Sequence, residues 1–115
     1  MFNPTLPSRD AYDAYRWAED LFEHRDYYAA AKVLRRLVDE HPHDGDLAAA
    51  RELLARSYYH SAQLERAVET ARELLAAQPD DAYAALLLAR SLERLSRHDE
   101  AAAARRLADA LGAVV

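Results

Sequence analysis

The chain has 115 residues, a formal net charge of -5 at pH 7 and a pI near 5.5. Only two glycines and four prolines accompany many Ala, Leu, Arg and Glu residues, so the composition favours helices and excludes an all-β fold. The lack of cysteine excludes disulfides and thiolate metal sites. The acidic charge argues against nucleic-acid binding, which relies on clustered positive charge.

The sequence also predicts where in the cell the protein is located. Residues 1–7 lack the basic stretch and apolar run of a secretory signal, and no segment approaches the roughly 18 apolar residues of a membrane span. We therefore expect a cytoplasmic protein that does not enter membranes. Lys32 is the only lysine, and this preference for Arg, with the abundant Ala, indicates a GC-rich, bacterial genome.

Start and stop signals predict six helices. In chain order they cover about residues 9–24, 27–41, 46–61, 64–77, 81–95 and 98–111. Ser8 or Asp10 is placed to cap the first helix, Pro42 and Pro79 end the second and the fourth, and Gly112 ends the last. The chain thus reads as three helix pairs.

The three pairs repeat one another. The segment Ala55-Arg56-Ser57-Tyr58 matches Ala89-Arg90-Ser91-Leu92 at a separation of 34 residues, which is a period typical of helical repeats. The first and second copies are offset by 37 residues, so three extra residues lie in their connection. The predicted repeats are about 11–44, 48–81 and 82–112. They form one domain over 9–112, after an extended segment over 1–8.

Apolar residues recur at helical spacing within each first helix. Positions 14, 17, 18 and 21 form one stripe, which positions 51, 54, 55 and 58 and positions 85, 88, 89 and 92 repeat. Arg51 is the only polar member. Alanines twelve residues apart, such as Ala55 and Ala67, recur in every copy and would let the two helices of a pair approach closely.

These positions resemble the tetratricopeptide repeat family, whose unit has alternating large and small residues, a small residue in the second helix and an exit proline. The matching residues are Trp17, Ala18, Leu21, Ala30 and Pro42; Leu54, Ala55, Tyr58, Ala67 and Pro79; and Leu88, Ala89, Leu92 and Ala101. The resemblance implies an all-α superhelix, a solenoid of three helix-turn-helix repeats. It also implies a non-enzymatic adaptor or scaffold for protein–protein interaction.

The resemblance further implies that the first helices line a concave groove, which binds a partner peptide or protein. The groove residues implied are Tyr12, Tyr15, Glu19, Phe22, Ala49, Glu52, Arg56, Tyr59, Tyr83, Leu86, Arg90 and Glu93, and nearby Arg94 extends the positive strip that Arg56 and Arg90 form. Tyr and Arg, which dominate this set, are enriched at binding hot spots. The chaperone clamp of some relatives is not expected, since its positions hold Tyr15, Glu19, Leu53, Tyr83 and Leu87. The alternative reading of the aromatics is that the N-terminal segment, through Phe2 and Leu6, or a neighbouring copy covers them.

The last repeat suggests an alternative function. It is followed by no evident capping helix, so we expect Leu86, Leu87, Leu95 and Leu107 to be partly uncovered. That surface predicts either docking on a larger protein or a structural homo-oligomer assembled through the C-terminal repeat.

Catalytic and metal chemistry is not predicted. The run from His41 to Asp46 is the only cluster of metal-ligand residue types, and we interpret it as a polar loop between repeats. Ser57 and Ser91 occupy matching positions, which favours packing over catalysis. Glu52 and Arg56 are spaced to pair along their helix. No cofactor is expected.

Overall fold

The computed structural model of the chain describes residues 7–42 and 47–113. Six helices follow one another: α1 (Pro7–Glu23), α2 (Tyr27–Glu40), α3 (Ala48–His60), α4 (Leu64–Ala77), α5 (Ala82–Arg94) and α6 (His98–Ala110). Each predicted helix is present, and each boundary lies within two residues of the prediction. The described residues contain no strand, which confirms the all-α class.

The start of α1 differs from the prediction. The helix begins at Pro7, so Ser8 and Asp10 lie inside its first turn, after the N-cap position. Proline is favoured there because its ring already fixes the helical φ. The N–H groups of the first turn have no acceptor within the helix, so the lack of an N–H costs no hydrogen bond. Residues 7 and 8 are therefore helical rather than part of the extended segment, and Phe2 and Leu6, the predicted cover for the aromatics, lie outside the described residues.

The recurring alanines lie between the helices of each pair. Ala18 and Ala30, Ala55 and Ala67, and Ala89 and Ala101 are all buried. Consecutive helices pack on each other along the whole chain, and α3 also contacts both α1 and α5. No contact of similar extent joins α2 to α4 or α4 to α6 within the described ranges. Because helices on the inside of a curved array lie closest, α1, α3 and α5 form the inner, concave face.

The turns inside the three repeats share one geometry. Arg25, Ala62 and Ser96 all have positive φ, between 60° and 63°. The next N–H bonds back across the end of the first helix, as Asp26 N does to Leu21 O at 2.8 Å. This is the Schellman helix ending, usually built on glycine. Gly112, with φ 81°, ends α6 in the same way, as predicted.

Trp17 is not part of a buried packing face, contrary to the sequence interpretation. Its side chain is 59% exposed, whereas Leu54 and Leu88, its counterparts in the later repeats, are buried. In those repeats the preceding helix pair covers this position. No described helix pair precedes α1, so the same stripe position is left open to solvent.

The last repeat is better covered than predicted. Leu86 and Leu87 are buried, Leu86 in a cluster with Ala108 on α6 that Leu111 also contacts. The end of α6 therefore covers part of the surface that a capping helix would otherwise close. Leu95 is half-buried, and Leu107 remains 39% exposed.

The polar members of the helix interfaces have structural roles. The Ser57 and Ser91 hydroxyls donate to backbone carbonyls one turn earlier, each at 2.8 Å, which supports the packing interpretation. The Arg51 guanidinium donates to the carbonyl oxygens of His41 and Pro42, so it ties α3 to the end of the preceding repeat. None of the described helices combines the length and apolar character needed to cross a membrane.

Candidate binding groove

The centre of the concave face is a set of polar and aromatic side chains from three helices. The pKa of the Tyr83 hydroxyl on α5 is raised, chiefly by burial, while Arg56 on α3 acts in the opposite direction through its charge and a hydrogen bond. Burial also raises the pKa of Tyr15 on α1, and the charges of Glu19 and Glu52 add to that effect. Arg56 and Glu52 thus act electrostatically on both tyrosines.

Arg56 is held by an aromatic ring rather than by an acid. Its guanidinium carbon lies 4.8 Å from the centroid of Phe22, a cation–π distance. Its Nε is buried and has no hydrogen-bond partner among the described residues. The pair with Glu52 that the i, i+4 spacing predicted is not formed, because Arg56 turns across the groove to α1 instead.

An aromatic cluster lies beside Arg56, made of Phe22, Tyr27, Tyr59 and His60. The His60 ring stacks on Tyr27 with centroids 4.9 Å apart. Its edge contacts with Phe22 and Tyr59 have centroid distances of 5.7 and 5.4 Å. Edge-to-face and offset pairs of this kind are the favoured aromatic geometries. The cluster joins the ends of α1 and α3 to the start of α2.

Arg94 brings a second guanidinium to this cluster from α5. Its guanidinium carbon lies 5.0 Å from the Tyr59 ring centroid, and its Nη1 donates to the Tyr59 carbonyl oxygen at 3.3 Å. Burial lowers the pKa of His60, and the positive charges of Arg56 and Arg94 lower it further. The cluster thus carries two positive charges beside an imidazole whose protonation is disfavoured by burial and by those charges.

Two of the three acids of the predicted groove are paired with arginines from outside the predicted set. Glu19 lies 3.6 Å from Arg16, and both carboxylate oxygens of Glu93 accept hydrogen bonds from Arg105 on α6, at 2.9 and 3.0 Å. Glu52 has no ion pair within the described part of the chain. The groove's own arginines, Arg56, Arg90 and Arg94, have none there either.

Two residues of the predicted set stand apart from this arrangement. Leu86 is only 3% exposed, because the end of α6 folds over it, so it does not line the groove. Tyr12 is 57% exposed, and its hydroxyl accepts a hydrogen bond from Arg16 on its own helix at 3.0 Å. Among the described residues, no direct hydrogen bond or ring contact joins Tyr12 to the central set.

Tyr27 and His60 were missed from the sequence. His60 directly follows Tyr59 at the end of α3, and Tyr27 is the first residue of α2, directly after the turn that follows α1. Each residue therefore lies next to the turn inside its own repeat, and this position was the signal available from the sequence. The metal-ligand run from His41 to Asp46 lies mostly outside the described residues, within which no group of three or more potential metal ligands occurs.

Three stacked helix pairs define a helical repeat protein, and their aromatic inner face is its candidate binding surface. The family model of the tetratricopeptide repeat matches residues 21–91, which is more than half of the chain. The chain therefore belongs to the tetratricopeptide repeat family, as the resemblance predicted. This family is generally a non-enzymatic fold for protein–protein interaction, and membership supports that role here.

Solved structures of the same architecture confirm the fold. A chain of the CopN–Scc3 complex superposes with a TM-score of 0.83 at 20% identity, over 93% of this chain and 61% of that one. A MamA mutant gives 0.81 at 18% identity, over 91% and 74%. The MamA RS-1 ArsTM double mutant gives 0.76 at 26% identity, over 88% and 55%. A search of the curated proteins finds no match.

Proposed function

We propose that the protein is an adaptor of the bacterial cytoplasm, which binds an extended or helical segment of a partner protein in its concave groove. The observation that carries this proposal is the convergence of Tyr15, Phe22, Tyr59 and Tyr83 from α1, α3 and α5 on one face. Rings on that face offer apolar area at low conformational cost, because their side chains have few rotatable bonds and are already packed.

The polar atoms of the groove can orient such a segment. Tyrosine hydroxyls are protonated at neutral pH, and that of Tyr83, which accepts a hydrogen bond from Arg56, can itself donate one to a partner's backbone or side chain. The Tyr15 hydroxyl donates to Glu19 within the groove and can accept one from the partner. The partner's apolar residues would contact the rings, while these hydroxyls and the arginines fix its register.

Affinity capture tests the proposal. The groove variant carries Tyr59→Ala, Arg56→Glu and Arg90→Glu, and the wild-type chain and this variant are used as baits with identification by mass spectrometry. We expect the variant to lose at least one protein that the wild-type chain captures, and that protein, once purified, to bind the wild-type chain directly.

A control variant makes the same three kinds of substitution on the outer helices: Tyr28→Ala on α2, Arg66→Glu on α4 and Arg106→Glu on α6. These residues are exposed, and the change in charge is the same as in the groove variant. Circular dichroism checks that all three proteins keep their helicity. If the groove variant captures the same proteins as the control, the groove is not the binding surface.

The alternative function, a structural homo-oligomer, is supported by a different observation. Trp17 at one end of the array and Leu107 at the other are large apolar side chains exposed to solvent. Stacking of copies end to end would cover both, since repeats in a solenoid normally cover one another in this way.

A further inference from the structure

The arginines of the groove differ from most others in the protein. Within the described residues, six arginines form ion pairs with carboxylates; these are Arg16, Arg35, Arg36, Arg72, Arg97 and Arg105. Arg56 and Arg94 instead lie over the rings of Phe22 and Tyr59, and neither has a carboxylate within ion-pair distance in that part of the chain.

The acids of the predicted groove form no ion pair with Arg56 or Arg94. Glu19 lies within ion-pair distance of Arg16 and Glu93 within that of Arg105, so two of the three groove acids have other arginines as partners. The third, Glu52, acts on Tyr15 and Tyr83 in the centre of the face. The end of the groove formed by the aromatic cluster is therefore positive, and the buried Arg56 Nε has no acceptor among the residues that the structure describes.

We propose that Arg56 and Arg94, at the edge of the aromatic cluster, bind one carboxylate side chain of the partner, next to an apolar residue that contacts the cluster. The proposal presupposes the groove function above and names the chemistry of its ligand. A carboxylate matches the planar guanidinium donors in shape and charge. The partner segment accordingly has one acidic residue at this position, next to an apolar residue.

A single carboxylate fits this surface better than a phosphate or a nucleic acid. Glu52 remains in the same groove, and the whole chain carries a net charge of -5, so a ligand with several negative charges meets repulsion away from the two arginines. A segment with one carboxylate at the cluster and neutral or apolar residues elsewhere avoids that repulsion.

His60 provides a readout that is specific to this placement. The groups that face it are Arg56 and Arg94, with Tyr27 and Tyr59, and the two cations help to hold its pKa below the usual 6.5. A carboxylate bound between the arginines offsets their charge, so the pKa of His60 rises on binding. The complex then takes up protons in the interval between the two pKa values, and affinity increases as the pH falls through it.

Selection from a display library of random twelve-residue peptides tests the proposal. Against the wild-type chain we expect peptides with Asp or Glu beside an aromatic or aliphatic residue. Replacing that acid by its amide should weaken binding by about tenfold or more, since a hydrogen bond to a charged group is lost. The histidine resonances of the complex, followed by NMR, should show a raised His60 pKa, and the His60→Phe variant assigns that signal.

A charge-swapped variant, Arg56→Glu with Arg94→Glu, should select Lys or Arg at the same peptide position. If the charge-swapped variant does not fold, the milder double variant Arg56→Gln with Arg94→Gln replaces it in the selection. Circular dichroism checks the helicity of both variants. The milder variant should lose the preference for acid without gaining one for base.

Each other outcome is decisive. Peptides that need the groove but show no preference for acid would overturn the carboxylate site and leave the groove function standing. Tighter binding of the phosphoserine form of a peptide than of its Glu form would assign the site to phosphate instead. If no peptide binds, or if binding is lost in the outer-helix control and not in the groove variant, the proposed function fails together with the inference.

Discussion

Arg25, Ala62 and Ser96 hold a backbone conformation that costs an L-amino acid free energy. Their positive φ places Cβ close to the following carbonyl oxygen. Glycine avoids that contact, although it loses more backbone entropy on folding. The chain adopts the conformation three times because the helix-to-helix turn demands it, whatever residue stands there.

We expect Arg25→Gly, Ala62→Gly and Ser96→Gly each to raise the free energy of unfolding by about 0.5 to 1 kcal/mol, the difference between the two costs. Urea unfolding measures the change. Ala103→Gly, at an exposed position inside α6, is the matched control and should lower stability by about 1 kcal/mol. A loss of stability at all three turn positions would contradict the reading of the turns as strained.

The side chain of Arg56 illustrates the limit of local spacing. Its distance along α3 from Glu52 predicted an intrahelical pair, which would contribute only about 0.2 to 0.5 kcal/mol. Contact with Phe22, on a helix distant in sequence, competes with so weak a local pair and prevails. Local rules for exposed pairs are least dependable where another helix passes within reach.

Each helix pair depends on the small side chains at its crossing. Ala55 on α3 and Ala67 on α4 are fully buried, so a larger side chain at either position meets atoms of the facing helix. The same holds for their counterparts in the other two repeats.

We expect Ala55→Leu and Ala67→Leu to destabilise the protein by about 1 to 3 kcal/mol through overpacking. Thermal unfolding followed by circular dichroism measures this. Ala76→Leu, on the exposed side of α4, should change stability by no more than about 0.5 kcal/mol. An unchanged melting temperature in both buried variants would refute the helix pairing.

The whole molecule exposes apolar side chains at both ends of the array, and this separates the two functions. An adaptor that acts through its groove should remain a monomer, whereas a structural polymer should associate through Trp17 and Leu107. A contact of one end with the other does not close on itself, so it would build open chains rather than dimers.

We expect light scattering over a concentration series to give a monomer. Larger species that disperse with Leu107→Glu or Trp17→Glu, but not with the groove variant, would establish the oligomer instead. The groove variant is the control here because its substitutions lie on the inner face, away from both ends.

Helix positions, the repeat and the class of fold were accessible from the sequence because they depend on local information. The stripe spacing, the Ala pairs and Pro42, Pro79 and Gly112 each act within one or two turns of the chain. Most of the groove residues followed from the repeat, since equivalent positions in stacked units face the same side. The buried Leu86 did not, because its cover comes from the end of α6.

The sequence by itself therefore determined three helix pairs, their order and the face on which Tyr15, Phe22, Tyr59 and Tyr83 lie. Only the tertiary structure decided that Tyr27 and His60 join them and that Glu19 and Glu93 are paired from outside the groove. It also decided that Arg56 and Arg94 contact aromatic rings and form no ion pair within the described part of the chain. Periodicity specifies the direction of a side chain from its own helix. The partner it meets depends on the distance to the next helix, which the packing of the whole array sets.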